Sequence, residues 1–255
     1  MIHLMNYPLY VFLFSLVVMW LSALIGDFFG KKRPSMDEGE REDFGVIVAA
    51  TLTLLGLIIG FSFSMAISRY DQRKNYEEAE ANAIGTEYVR TDLLPAADAE
   101  KVRGLLRKYL EQRILFYRTR DVGQLREVNA ATAQTQADLW KTVEFPAEAK
   151  QTPVVALVVS GMNDVLNSQG YTQAAWWNRI PIAAWGLMLV IGICCNLLIG
   201  YCARHHKATT FRFVVLPLIV AISFLLIADI DSPRGGIIRV RPQNLVSLAQ
   251  SLHVE

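Results

Sequence analysis

Charged and amide side chains cluster in the stretch 60–95, whose sequence is GFSFSMAISRYDQRKNYEEAEANAIGTEYVRTDLLP. Four of the charged residues recur at steps of four, four and three, which places them on one helix face: Arg69, Arg73, Glu77 and Glu80. Two interpretations fit this pattern. The charges form structural ion pairs within a helical bundle, or they line a polar vestibule below a membrane pore, where they would meet ions.

Further polar residues are compatible with both interpretations, structural ion pairs and a polar vestibule. Glu87 and Arg90 lie three residues apart on the same predicted helix, and Asn82 and Thr86 flank a run of small residues that indicates close packing. A second charged set follows the last apolar run of the chain and consists of Asp229, Asp231, Arg234 and Arg239. A carboxylate at a membrane exit is costly unless it is paired or hydrated, so we expect these carboxylates to pair with Arg69 and Arg73.

No catalytic set accompanies these charges. The sequence has no HExxH, GxSxG, P-loop or dinucleotide-binding motif, so we expect no enzyme and no cofactor. His205 and His206 are adjacent and would point about 100° apart on a helix, which is typical of a turn rather than a metal site. Three cysteines fall in or at the end of an apolar run and predict neither a disulfide framework nor a zinc site: Cys194, Cys195 and Cys202.

The composition indicates a membrane protein. Of 255 residues, 53% are hydrophobic, and the mean hydropathy is +0.28. The net charge of +1 gives no reason to expect a nucleic-acid partner. Four apolar runs have about the length that a helix needs to cross a bilayer: 10–29, 44–67, 180–202 and 211–228.

The predicted fold class is an all-α membrane protein with four transmembrane helices and a helical extramembrane domain inserted between the second and third spans. A first transmembrane hairpin occupies 1–69, the soluble domain 70–177, a second hairpin 178–230, and an extended tail 231–255.

No proline lies between Pro34 and Pro95, so the second span should continue into the soluble domain as one helix. Thr152 followed by Pro153 predicts a helix start. Trp176 and Trp177 indicate a belt at the membrane interface.

Small residues recur every four positions in the second span, at Gly56, Gly60 and Ser64. This spacing lets two helix backbones approach closely in lipid. The partner helix would belong either to the same chain or to another copy.

Three blocks resemble a bacterial bestrophin-like membrane family: GFSFSMAISRYDQR, EANAIGTEYVRTDLLP and DIDSPRGGIIRV. The resemblance covers nearly the whole chain and implies four spans with a helical domain between the second and third. Bestrophins, which are more distantly similar, are pentameric anion channels whose second helix lines the pore. That similarity implies five pore-lining candidates here: Ile58, Ile59, Phe61, Ser62 and Met65. The proline-containing aromatic neck and the acidic calcium-binding run of bestrophins are absent from this sequence.

The resulting hypothesis is a homo-oligomeric, bestrophin-like channel for small inorganic ions, preferentially anions, with the lipid bilayer as its other partner. Arg69 and Arg73 would supply a positive field at the exit of the pore. The alternative is a non-conducting scaffold or signalling protein whose helical domain docks a partner.

Basic residues near the spans are equally frequent on both sides, so the charge rule gives no orientation. The absence of a signal peptide and of cysteine in the domain favours an inner-membrane protein with that domain and both termini in the cytoplasm.

Overall fold

The computed structural model describes residues 7–32, 37–149, 152–202 and 209–252. These residues are mostly helical and contain no strand. In this described part of the chain eight α-helices follow one another: α1 (Pro8–Lys32), α2 (Glu38–Arg90), α3 (Ala96–Arg118), α4 (Val122–Ala149), α5 (Pro153–Trp177), α6 (Ile182–Cys202), α7 (Thr209–Asp231) and α8 (Gln243–Leu252). Within the described part of the chain, four helical segments are long and apolar enough to cross a membrane, and they fall in α1, in α2, in 153–202 and in α7.

Helix α2 is continuous over 53 residues, as the absence of proline predicted. At about 1.5 Å per residue it is about 80 Å long. Asp37 caps its first turn by accepting a hydrogen bond from the backbone N–H of Glu40 at 2.7 Å. After Arg90 the chain tightens into a 3₁₀ turn, Thr91–Leu93, and Leu94 is extended at φ −91° and ψ 161°. Pro95 accounts for this end, because a residue that precedes proline disfavours helical geometry.

The chain divides into two compact units. Unit 1 contains residues 1–69 and 179–239, and unit 2 contains residues 70–178 and 240–255. In unit 1, α1 packs against α6 and α7. In unit 2, the core is formed by buried apolar side chains of α3, α4, α5, α8 and the last turns of α2.

Helices α1 and α6 pack at backbone distance. A Cβ atom added at Gly26 would overlap the carbonyl oxygen of Leu197, and one added at Gly200 would overlap that of Ala23. Gly30 lies equally close to the carbonyl of Tyr201. The buried amide of Asn196 donates to the carbonyl of Gly192 at 2.8 Å. Small residues therefore let these two helices approach as closely as their main chains allow.

Two expectations about unit 2 are corrected. Trp176 is buried and packs edge-on against Phe116 at 5.0 Å between ring centroids, so it belongs to the core and not to an interface belt. The tail is not extended throughout, because 243–252 forms α8. Its apolar residues recur at helical spacing, and three of them pack on the core: Leu245, Leu248 and Leu252. Thr152 does cap α5 as predicted, accepting from the N–H of Val155 at 3.2 Å.

Candidate functional site

The membrane-length part of α2 is much less buried than the other candidate spans. In its most apolar 18-residue stretch only 6% of the residues are buried, against 33% for α1 and 50% for α7. Three residues between 44 and 67 are buried, Leu55, Ser62 and Ala66. They are spaced by seven and four, so one narrow face of the helix contacts its own unit. The rest of the helix circumference is left open by the described residues of the chain.

The five pore-lining candidates fall on different sides of this helix. Phe61 is 60% exposed and Met65 is 38% exposed, so both lie on the open surface. Ile58 and Ile59 are half-buried and flank the buried face. Ser62 is only 2% exposed and faces its own unit, so it does not lie on the open surface.

The small residues of α2 also lie on the open surface. Gly56, Gly60 and Ser64 are all exposed, and a Cβ atom added at either glycine meets no described atom within 4 Å outside its immediate helix surroundings. The interpretation that they pack within the chain is therefore wrong for the two glycines. We call these three residues the open stripe.

Arg69 does pair with the carboxylate at the end of α7, as expected. Its Nη1 lies 3.8 Å from Oδ1 of Asp231. The same carboxylate also lies 3.5 Å from Nε of Arg179 and accepts a hydrogen bond from the N–H of Ile180 at 3.1 Å. Asp231 is buried in unit 1, so this cluster ties the start of α6 to the end of α7 and to α2.

Arg73 binds the C-terminal end of α5. It is 2% exposed and donates to the carbonyl oxygens of Ala175 and Asn178, both at 3.2 Å. These carbonyls belong to the last turn of α5, where backbone acceptors lack intrahelical partners and the helix dipole favours a cation. The geometry therefore favours the structural interpretation for Arg73 over a freely projecting charge.

The two glutamates that follow bind partners far along the chain. Glu77 accepts from the backbone N–H of Leu245 at 3.0 Å and from the side-chain amide of Asn244 at 2.7 Å, so it caps the first turn of α8. Burial raises the pKa of Glu77, while these hydrogen bonds oppose that rise. The glutamate therefore fixes the C-terminal helix to α2 within unit 2.

Glu80 is the acceptor of a buried polar network. Nε of Arg113 donates to it at 2.5 Å, and the hydroxyls of Tyr117 and Thr172 donate at 3.3 Å each. Burial raises the pKa of Tyr117 well above its usual range, so its hydroxyl stays protonated and able to donate. A buried pair of this kind holds α2, α3 and α5 in one arrangement, and loss of one partner would leave an uncompensated charge.

The remaining polar candidates divide into buried and exposed positions. Glu87 is completely buried beside the half-buried Arg90, whereas Asn82 and Thr86 are exposed on α2. Asp229 is buried and accepts from the backbone N–H groups of Ile237 and Ile238 at 2.8 and 2.7 Å. Its carboxylate therefore folds the segment after α7 back on itself. Arg234 and Arg239 lie half-buried in that segment.

Several hydrogen-bonding partners of these carboxylates were not predicted from the sequence: Arg113, Tyr117, Thr172 and Asn244. Arg113 gave a usable signal, because it follows Tyr109 and Leu110 at helical spacing and so sits on the apolar stripe of α3. A charge on a buried stripe predicts a buried counter-charge. The described residues contain no cluster of three potential metal ligands. His205 and His206 lie outside the described residues.

Comparison with known proteins assigns the family. The sequence profile of the Bestrophin-like domain matches residues 11–245, and the chain therefore belongs to the bestrophin-like family. A comparison with curated proteins gives no match.

Solved structures share the fold. A bacterial Bestrophin homolog from Klebsiella pneumoniae superposes with a TM-score of 0.65 at 14% identity, covering 96% of each chain. A single-substitution variant of a bacterial Bestrophin homolog from the same organism gives a TM-score of 0.64 at 16% identity, covering 94% of this chain and 96% of that one. The chain is thus a bestrophin-like membrane protein, and the family predicted from its three sequence blocks is confirmed.

Proposed function

We propose that this chain forms a homo-oligomeric ion channel of the bestrophin type and that α2 lines its pore. The observation that carries the proposal is the open surface of α2 in its membrane-length part, whose most apolar 18-residue stretch has only 6% of its residues buried. A helix that lines a pore between copies must leave most of its surface free of its own chain.

Two sets of residues on this surface would have different roles in an assembly, one in contact with a second copy and one at the pore. The open stripe of Gly56, Gly60 and Ser64 offers a flat backbone against which a helix of a second copy can pack. Phe61 and Met65 lie next to it, four residues apart, and carry bulky exposed side chains. In a ring of such helices these side chains would form an apolar constriction that gates by dewetting.

The ion class is inferred from the family resemblance and not from an arginine ring. Arg69 faces Asp231, and Arg73 is buried on backbone carbonyls, so neither projects a free charge into a pore. We propose anion permeation because bestrophins conduct anions. The selectivity would then depend on the constriction itself, since desolvating a large, weakly hydrated anion costs less than desolvating a small cation.

We propose a topology in which both termini and unit 2 lie on one side of the bilayer, with most of unit 2 between the second and third spans. The four candidate spans support it, because an even number of crossings returns a chain to the side on which it began. The mixed charged and apolar sequence of α3 and α4 suits water more than lipid. We propose that this side is the cytoplasm of a cell whose inner membrane holds the protein.

The test is chloride flux from liposomes that contain the purified chain, after its mass in detergent has been measured. We expect an oligomer that conducts, and a higher flux for Phe61→Ala, because the smaller side chain widens the constriction. Ser62→Ala is the matched control and should leave flux unchanged, since Ser62 faces its own unit.

Two results would contradict the channel. A strictly monomeric chain has no ring of α2 helices. An assembled chain that remains silent, both as wild type and as Phe61→Ala, would support the alternative of a non-conducting scaffold whose helical unit docks a partner.

A further inference from the structure

The last turn of α2 contains a buried carboxyl group that lacks hydrogen bonds. Glu87 is 0% exposed, and neither of its carboxylate oxygens has a hydrogen-bond donor among the described residues. By contrast, Glu77 accepts two hydrogen bonds, and Glu80 is bonded by Arg113, Tyr117 and Thr172. Glu87 therefore differs from the other buried glutamates of this helix.

Glu87 packs against α5 at Gly161, a residue without a side chain. A Cβ atom added at Gly161 would overlap Oε2 of Glu87 and Nη1 of Arg90. The glycine thus makes room for the carboxyl group where any other residue would place a side chain. Contact between the end of α2 and α5 depends on this fit.

The charged groups that act on Glu87 come from both helices. On α2, Nη1 of Arg90 is 4.0 Å from Oε2, the outer limit of an ion pair, while Arg90 also donates to the carbonyl of Leu157 at 3.4 Å. On α5, Asp164 lies one turn beyond Gly161 and repels a charged Glu87. An ionised carboxylate would therefore be buried with one distant cation, one nearby like charge and no hydrogen bond.

The neutral form is the one that this environment accommodates. Burial raises the pKa of Glu87 to about 8, Arg90 opposes the rise, and Asp164 adds to it. The group can therefore change charge near neutral pH while the protein is folded.

We propose that Glu87 is a proton-controlled latch between α2 and α5, which holds the Gly161 contact when the carboxyl group is neutral and loosens it when the group ionises. The latch belongs to unit 2 and does not depend on ion conduction. A failure of the flux experiment would leave it standing.

Glu87 binds its proton more tightly in the folded chain than in the unfolded chain, and this difference fixes the direction in which the stability of the fold changes with pH. The stabilisation by neutral Glu87 is complete below the usual glutamate value of 4.5, is lost as the pH rises, and is gone above about 8. Between these limits each pH unit should lower the folding equilibrium constant up to about tenfold.

The experiment follows the carboxyl group and the fold of the full-length chain in detergent. Infrared spectra should show a protonated carboxylic acid that disappears near pH 8 and is absent from Glu87→Gln. Melting temperatures should fall with pH more steeply for wild type than for Glu87→Gln. The exposed Glu78 on the same helix gives the control, and Glu78→Gln should keep the wild-type profile.

Two further variants decide the matter even if Glu87→Gln does not fold. Asp164→Asn should move the titration to lower pH because it removes a like charge, and Arg90→Gln should move it to higher pH because it removes a cation. Hydrogen exchange of the backbone around 157–164 should rise with the ionised fraction of Glu87. Identical titrations in both variants, or parallel melting profiles for wild type and Glu87→Gln, would overturn the latch.

Discussion

Two pairs of glycines with the same four-residue spacing have opposite surroundings. Gly26 and Gly30 of α1 lie against the backbone of α6, so closely that a single methyl group would overlap a carbonyl oxygen. Gly56 and Gly60 of α2 have no described neighbour within 4 Å of an added Cβ atom outside their immediate helix surroundings. Small-residue spacing thus identifies a surface on which another helix can pack, while only the fold shows whether that helix belongs to the same chain.

A substitution in the close contact between α1 and α6 should have the strongest effect, and Gly200 of α6 faces α1 there. Gly200→Leu places a side chain onto the backbone of α1 and should destabilise the chain by about 1–3 kcal/mol or prevent folding. Gly186→Leu, on the same helix and with open space around it, is the control and should change stability little. Thermal melting in detergent measures both, and equal melting temperatures would show that the α1–α6 contact is not close.

A second, smaller effect is expected at the open stripe. Gly60→Leu should leave the fold of the single chain intact but weaken association by about 1 kcal/mol at each contact between copies. Mass measurement in detergent should show smaller assemblies, while Gly60→Ala should retain more of the assembled form. A loss of folding with Gly60→Leu, or an unchanged mass, would contradict the assignment of this stripe to a second copy.

The smallest effect is expected from a cysteine substitution, which tests whether the open stripes of two copies lie close together. In a background with Cys194, Cys195 and Cys202 replaced by alanine, Ser64→Cys should form disulfide-linked dimers on mild oxidation, since a disulfide requires Cα atoms within about 7 Å. Ser15→Cys, buried in α1, is the matched control and should remain monomeric on a denaturing gel. Cross-linking by both variants, or by neither, would remove the distinction between the two glycine pairs.

Local features of the fold could be predicted because they depend on near neighbours in sequence. The continuity of α2, the start of α5 at Thr152 and Pro153 and the end of α2 before Pro95 all follow from proline positions and capping chemistry. Helix α8 was not predicted, because the 232–242 segment before it has no helical period, although the leucines of 243–252 have helical spacing.

The partners of the charged residues could not be predicted with equal success. Arg69 and Asp231 were paired correctly from the membrane depth at which both helices end. The carbonyl partners of Arg73 are invisible in any sequence pattern, because every residue carries a carbonyl group. The orientation of the open surface of α2 was equally inaccessible, since Ser62 and Phe61 are adjacent in sequence but face different surroundings.

If copies assemble through the open stripe as proposed, the assembly state of the protein depends on its dilution in the membrane. Acyl chains and another copy of the chain would then compete for the surface beside Gly60, and the outcome would follow mass action in two dimensions. At a low ratio of protein to lipid, lipid would occupy this surface and single chains would prevail. The number of copies made, relative to the membrane area available, would then set the fraction of assembled protein without any change in its sequence.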